Sequence, residues 1–397
     1  MLQGKTVVLA VSGSIAAYKS ANIARMLKKL GGHVEVLMTK NATNFINPIT
    51  FESLTGTKCL VETFDRNFEF SVEHVALAKR ADVVLLAPAS ANVIGKIAHG
   101  LADDMLTTTV IACPCKKIIA PAMNHNMFHN PIVQDNLRKL EGYGYEIVKP
   151  AHGMLANGDM GDGRMPEESL LVEYVLREIA CQKDLAGKKV LVTAGPTREA
   201  IDPVRFITNH SSGKMGYAVA RAAMLRGAQV TLVSGPVSIP APSFVEVVST
   251  VSAQDMYEAV ISRAEEQDMF VMTAAVADYR PAHVADEKVK KTDGDMSIPL
   301  TRTKDILGTI GQMRRDDQVI CGFSMETENM LANSQAKLER KNADLIVANN
   351  VKDAGAGFGV DTNLVTVITR GGAEELPLMS KDQVAHALLD RMVGMAR

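Results

Sequence analysis

Cysteine is scarce and odd in number: Cys59, Cys113, Cys115, Cys181 and Cys321 are scattered without a CxxC pair. That pattern argues against a disulfide framework or a zinc ribbon. Cys113 and Cys115 in IACPCKK read as small buried hydrophobes at a helix end. Tryptophan is absent, and 21 methionines suggest cores filled by adaptable side chains, which indicates nothing about function. Charge of either sign is not in excess, and a net charge of −2 offers no basic footprint for nucleic acid. The opening MLQGKTVVLAVSG has an apolar run far too short to span a bilayer and leads directly into fold, so the expected compartment is the cytoplasm. No GxGxxG follows either candidate nucleotide strand, which excludes the ordinary dinucleotide fingerprint. A P-loop is missing too, since Gly213-Lys214 runs into Met215 and Thr208 stands where the first glycine would be.

What is present is an α/β grammar written twice. With 47% hydrophobic and 22% charged residues over 397 positions, the chain is of ordinary globular composition and long enough for two domains of roughly 200 residues. Apolar runs of strand length at 7–11, 33–39, 81–89, 116–123 and 145–148 alternate with helical-period segments, the first over 15–30. The second half repeats this with runs at 189–195, 229–236, 244–249, 268–277, 319–324 and 343–350, and a helix over 213–226. Continuous apolar strands separated by helices predict parallel sheets covered on both faces, two doubly wound Rossmann-like α/β domains, 1–183 and 184–397. Each opens with a strand that runs into a Gly/Ser loop and then a helix, where unpaired N–H groups and the helix dipole favour an anion. Residues 150–166 are rich in glycine without periodicity and are expected to form a long flexible loop rather than an element. Residues 278–303 read as a polar excursion from a strand end, carrying Lys288, Lys290 and Lys291.

On spacing alone the candidate residues divide between structural and functional roles. Gly13-Ser14 suits a plain N-cap as well as a phosphate site, because both use the same orphan donors. Asn124 in PAMNHNMF fits a turn or a ligand contact at a sheet edge. His74 is a single histidine on an amphipathic helix, and PASAN (88–92) would open a further helix at a strand end. The lysines by themselves fit a solvated loop.

Taken together, GSIAAYK (13–19), His74, PASAN (88–92), PAMNHNM (121–127), GDGRM (161–165), AGPTREAIDPVRFITNHSSGKMG (194–216), AAVADYR (274–280), EKVKK (287–291) and KNADLIVAN (341–349) closely resemble the bifunctional phosphopantothenoylcysteine decarboxylase/phosphopantothenate-cysteine ligase family of coenzyme A biosynthesis. The resemblance runs in order over nearly the whole chain. It implies a flavodoxin-like N-terminal domain using FMN, with Gly13, Ser14, Thr39, Ser90 and Asn92 as flavin contacts, His74 as base and Asn124 holding the substrate carboxylate. For the second domain it implies CTP-dependent ligation of cysteine to 4'-phosphopantothenate through an acyl-cytidylate, with Mg2+ and with no metal ligands assigned. Asn209 would handle the acyl-cytidylate and Lys288 would act at the reacting phosphate. The CTP contacts implied are Asp278, Lys288, Lys304, Asp305, Ile306, Leu307, Phe323, Lys337 and Lys341. The partners implied are small-molecule substrates and copies of the same chain, with trimeric flavin domains and dimerising ligase domains in assemblies as large as a dodecamer.

Two departures stand out. The family's flap carries a cysteine as proton donor where this chain has Asn157, and a carboxamide is no acid at neutral pH. The reductive half-reaction then needs another donor, Asp159, Asp162 and His152 being at hand, or stalls at the oxidised intermediate and leaves the ligase alone active. In TRTKDIL (301–307), Lys304 replaces the family's proline. A regulatory flavoprotein subunit of the same fold is the non-enzymatic alternative, but such subunits carry acidic tails unlike KDQVAHALLDRMVGMAR.

Overall fold

The computed structural model describes residues 1–63, 73–155, 158–291, 295–326, 329–350 and 359–395, which fall into two compact units, Met1–Gln182 and Lys183–Arg397. In the first, β1 (Thr6–Val11), β2 (His33–Met38), β3 (Val83–Ala89), β4 (Lys116–Pro121) and β5 (Glu146–Ile147) form a parallel sheet in the order β2-β1-β3-β4-β5. All seven residues of β3 and five of the six in β1 are buried. Strands apolar on both sides must be covered by helices on both faces, which is what parallel crossovers supply. Helix Ala17–Lys29 makes the first crossover and buries Ala17, Ser20, Ile23, Ala24 and Leu27, a single stripe at helical spacing. A separate antiparallel pair, β6 (Ala151–Met154) and β7 (Met160–Arg164), follows the sheet.

The second unit contains β8 (Lys189–Ala194), β9 (Arg198–Ala200), β10 (Phe206–Thr208), β11 (Gln229–Ser234), β12 (Glu246–Ser249), β13 (Met269–Met272), β14 (Tyr279–Pro281), β15 (Leu300–Arg302), β16 (Val319–Glu326), β17 (Leu345–Asn350), β18 (Thr362–Asn363), β19 (Val365–Thr369) and β20 (Gly372–Glu375). Its main sheet runs β12-β11-β8-β13-β16-β17-β19-β20. The first six are mutually parallel, while β19 and β20 add an antiparallel edge. Counted along the chain, the parallel strands stand in the order 3-2-1-4-5-6, the arrangement of the dinucleotide-binding folds, and the first unit has the 2-1-3-4-5 order of flavodoxin-like folds. Both units are doubly wound α/β. In the second, Leu191, Phe270, Ile320 and Ile346 meet in one buried cluster across four adjacent strands.

Three expectations are corrected. Residues 150–166 are not an element-free loop: β6 and β7 pair, and beyond them Leu155 N–H donates to Asp159 O at 2.8 Å. Glycine-rich strands of four and five residues have no apolar alternation, so their pairing leaves no trace in a hydrophobicity pattern. In the second unit the first strand does not run directly into its helix. The β9–β10 hairpin intervenes before Lys214–Leu225. The excursion over 278–303 likewise contains a strand pair, β14 with β15.

None of the five cysteines is in a disulfide, with Cys113 buried at the end of helix Met105–Ala112 and Cys115 partly exposed. Among the described residues no helix is long and apolar enough to cross a membrane. Phe270 is fully buried at the centre of its sheet. Phe270→Ala is expected to cost about 3–5 kcal/mol of unfolding free energy, measurable as a lowered urea midpoint.

Candidate functional site

The first unit holds a cavity of about 600 Å³ at the carboxyl ends of β1, β3 and β4. Gly13, Ser14, Ser90 and Asn124 line it together with Lys19 and Met123. This is where the strand order reverses between β1 and β3, the place where open α/β sheets bind ligands. Backbone and hydroxyl groups hold its rim. Ser12 Oγ donates to Pro88 O at 2.8 Å and accepts Ser90 N–H at 2.8 Å, while Ser20 Oγ donates to Ala87 O at 2.7 Å. The first helix starts at an N-cap, Ala16, that has no side-chain hydrogen bond. Ser14 is therefore not its N-cap, yet it serves the helix start: its Oγ accepts Ala16 N–H at 3.4 Å and its carbonyl accepts Ala17 N–H at 2.9 Å, while Lys19 N–H donates to Ala16 O at 3.0 Å. Asn124 Oδ1 accepts Asn126 N–H at 2.9 Å, which fixes the amide at the start of the short helix His125–Phe128.

The β6–β7 hairpin closes one side, contributing Met154, Gly163, Arg164 and Met165. It is docked against the Asn124 loop, since Met123 N–H donates to Gly163 O at 3.0 Å. Gly163 has φ +128, and a Cβ there would collide with Met123 O, so the approach requires glycine. Asp162 N–H donates to His125 Nδ1 at 3.1 Å. The Asp162 carboxylate bonds His152 and His129, each at 3.0 Å, and these two contacts hold its carboxyl below the usual range. That direction tells against Asp162 as the acid that replaces the flap cysteine. Asn157 itself lies outside the described residues.

The second unit holds a cavity of about 590 Å³ at the carboxyl ends of β8, β13 and β16, again at the reversal of strand order. Asn209, Asp278, Phe323 and Lys337 line it. Asn209 Nδ2 donates to Ala275 O at 3.0 Å, and Lys337 Nζ to Phe323 O at 2.8 Å. Helix Lys214–Leu225 points its start into this space from Gly213, an N-cap at φ 75 without a side-chain hydrogen bond. Two further wall residues escaped sequence reasoning, Lys214 and Lys381. Lys214 pairs with Asp361 at 2.7 Å, and Lys381 donates to Val360 O. Burial and the neighbouring Lys214 charge push the Lys381 ammonium below its usual range. In the sequence Lys214 reads only as part of a failed P-loop, and Asp361 lies too far along the chain for any motif to link them.

The remaining expected residues lie elsewhere. Thr39 is buried and caps the 3-10 turn Lys40–Asn44, Asn92 is exposed on helix Ala91–Ala98, and His74 is half-buried at the start of helix Glu73–Arg80; none of the three lines the first cavity. Lys288 lines a separate space of about 870 Å³ with Arg205, Lys290 and Lys291. Lys304, Asp305, Ile306, Leu307 and Lys341 do not line the second cavity either. Lys304 sits over the Tyr257 ring at 4.7 Å. Asp305 caps helix Ile306–Met313 by accepting Gly308 N–H at 2.9 Å, and it pairs with Lys341. Burial would raise the Asp305 carboxyl, but Lys341 and the Gly308 N–H outweigh it and hold it below its usual range. The Ile306 side chain is buried in the core, with Leu307 packed against it.

Comparison with known proteins agrees with this two-unit division. Residues 1–180 match the flavoprotein family, and residues 185–395 match the C-terminal domain of the DNA/pantothenate metabolism flavoproteins. The coenzyme A biosynthesis bifunctional protein CoaBC of Bacillus subtilis is 45% identical over 401 aligned positions, covering 100% of this chain and 98% of its own. Its namesake in Vibrio vulnificus is 45% identical over 98% of both chains. That of Escherichia coli is 42% identical over 99% of this chain and 97% of its own. Identity of this order along the full length, over two units that each keep a ligand crevice, makes the chain a member of the CoaBC family of bifunctional coenzyme A biosynthesis proteins.

Proposed function

We propose that the chain catalyses two consecutive steps of coenzyme A synthesis, the CTP-dependent joining of cysteine to 4'-phosphopantothenate and the FMN-dependent decarboxylation of the product to 4'-phosphopantetheine. The observation that carries this reading is the full-length identity with CoaBC proteins, joined to two crevices whose walls hold Asn124 and Asn209. The compartment that follows is the cytoplasm, and the partners are small molecules and further copies of the chain.

For the ligase, the acid must first be activated, because a carboxylate is a poor electrophile. The substrate carboxylate attacks the α-phosphorus of CTP, pyrophosphate leaves, and the cysteine amine then displaces CMP from the acyl-cytidylate. Mg2+ accompanies the triphosphate. Developing charge at phosphorus is stabilised by fixed cations, the role of Lys288, Lys337 and Lys341. Asp278 and Phe323 act at the nucleotide, with the 304–307 segment contributing backbone groups, and Asn209 donates to the acyl oxygen. Lys341 reaches phosphate by leaving Asp305, an exchange of one anion for another.

Lys288 owes its position to a buried carboxylate. Asp202 accepts the N–H groups of Val204 and Arg205 at 2.8 Å and that of Val289 at 3.1 Å, and pairs with Arg205 at 2.6 Å. Arg205 in turn donates to Val289 O at 2.7 Å. The β9–β10 turn thereby clasps the residue next to Lys288.

For the decarboxylase, the crevice suits FMN. The Gly13-Ser14 loop and the positive end of the first helix dipole suit its phosphate, and Ile15, Ala122, Met123 and Met127 offer apolar walls for its rings. Flavin, when bound, accepts a hydride and so lets the substrate's sulfur-bearing carbon become an electron sink for loss of CO2. Asn124 holds the substrate carboxylate at the cavity wall, and His74 takes a proton from the substrate. His74 and Asn92 complete the site in an assembled trimer. The dimer formed by the ligase units would link such trimers into a dodecamer.

Mass spectrometry of the products from 4'-phosphopantothenate, cysteine, CTP and Mg2+ tests both halves. The unsubstituted chain is expected to yield 4'-phosphopantetheine, and Asn124→Ala to accumulate phosphopantothenoylcysteine; no CTP-dependent product at all would refute the reading. Lys288→Gln is expected to slow pyrophosphate release by roughly a hundredfold or more. Unchanged turnover would remove Lys288 from the site. Arg205 and three N–H groups hold the Asp202 carboxyl well below its usual range. A carboxyl depressed on folding adds stability above its unfolded pKa of about 4, and that stability is lost as pH falls toward the folded value. Thermal melts should therefore show the unsubstituted chain losing stability below about pH 4 more steeply than Asp202→Asn, whose advantage-free baseline is already low at neutral pH.

A further inference from the structure

Beside the first crevice stands a group of side chains with no part in the chemistry above. His125 and His129 lie on and just after the short helix that follows Asn124, and Asp162 lies on β7 of the hairpin. One ligand atom from each of the three falls within 4.8 Å of the other two. His129 Nε2 is 3.0 Å from Asp162 Oδ2, the His125 and His129 ring centroids are 4.4 Å apart, and His125 Nδ1 already presents a lone pair to the Asp162 N–H. We propose that His125, His129 and Asp162 form a divalent transition-metal site of the zinc class, which staples the hairpin to the loop carrying Asn124.

The donor set selects the metal. Two imidazoles and one carboxylate suit Zn2+ and its neighbours, whereas Mg2+ and Ca2+ prefer oxygen donors. Bonds of about 2.0–2.1 Å in a tetrahedron hold ligand atoms roughly 3.3 Å apart, so three atoms within 4.8 Å need side-chain rotation and no movement of the backbone. Cation entry at His129 Nε2 replaces its hydrogen bond to Asp162, the neutral imidazole carrying its hydrogen on Nδ1 instead, and replaces the Asp162 N–H contact on His125. Three protein ligands leave one position to water.

Two features outside the ligand set support it. His152 Nδ1 bonds the other carboxylate oxygen, Oδ1, at 3.0 Å and so aims Oδ2 at His129, the kind of outer contact that orients metal ligands. Gly161, the neighbour of Asp162, faces the His125 ring closely enough that a Cβ would lie 2.6 Å from Nδ1, so the two ligand segments meet only because that position lacks a side chain. The site joins the hairpin, which supplies Met154 and Arg164 to the crevice wall, to the residue after Asn124. A bound ion would hold the crevice closed on that side.

Co2+ titration of the full chain provides the test, since tetrahedral cobalt gives intense visible d–d bands that Zn2+ abolishes by competition. One equivalent is expected to bind, with affinity lowered about a hundredfold or more by His129→Ala and by Asp162→Asn, and about tenfold by His152→Ala. Zn2+ should also slow proteolysis within the hairpin in the unsubstituted chain and leave it unchanged in Asp162→Asn. Circular dichroism identical to that of the unsubstituted chain establishes that each variant is folded, and His125→Ala replaces any that is not. Absence of the visible bands in the unsubstituted chain, or bands that persist in these variants, would overturn the proposal.

Discussion

Where neighbouring parallel strands send their next helices to opposite faces of a sheet, no connection covers the gap between their carboxyl ends. That gap governs both units. In each it carries the start of a helix whose N-cap, Ala16 or Gly213, makes no side-chain hydrogen bond. Asp104, Ser252 and Asp305 each accept a backbone N–H from the first turn of their own helix, although helices Glu168–Ile179 and Met330–Arg340 also begin without a side-chain cap. A side-chain cap neutralises the donors that an anion would need. At the second crevice the helix start at Gly213 has no side-chain cap, whereas at the first Ser14 takes up the Ala16 and Ala17 N–H groups through its Oγ and carbonyl.

The second constraint is electrostatic. A site for several phosphates needs cations, and cations gathered without a ligand repel one another. Three are held here by carboxylates, Lys214 by Asp361, Lys341 by Asp305 and Arg205 by Asp202, while Lys337 and Lys381 donate to backbone carbonyls. Lys381, buried near Lys214, shows what happens with less compensation, its ammonium being pushed below the ordinary range. Such pairs have little value as stabilisers at the surface. Their effect is to hold charge in register and make ligand binding an exchange of anions, which spares the unbound site an uncompensated positive cluster.

Legibility followed burial. The strands at 7–11, 83–89 and 189–194 could be read directly because central parallel strands are apolar on both faces and so appear as unbroken runs. The β6–β7 and β9–β10 hairpins could not, being short, half-exposed and held by backbone hydrogen bonds to which any side chain is indifferent. Among the expected site residues, Asn124, read at a strand end, and Asn209, implied by the resemblance of its segment, both line crevices. Lys214 and Lys381 were missed. Their common partner loop around 359–361 comes from the far end of the unit, and no spacing along the chain encodes that meeting.

Composition and hydrophobic periodicity thus suffice for two doubly wound α/β units and for the strand ends at which ligands gather, because strand burial and crossover handedness are local or nearly local constraints. Long-range packing alone decided which side chains share a crevice. Asp202 reaches Val289 across the β9–β10 turn, Lys214 meets Asp361, and Asp162 meets His125 and His129 because Gly163 lets one backbone press against another. Those juxtapositions depend on distances in space between segments that the sequence keeps apart, and a polar side chain carries no periodic signal of the partner it will find.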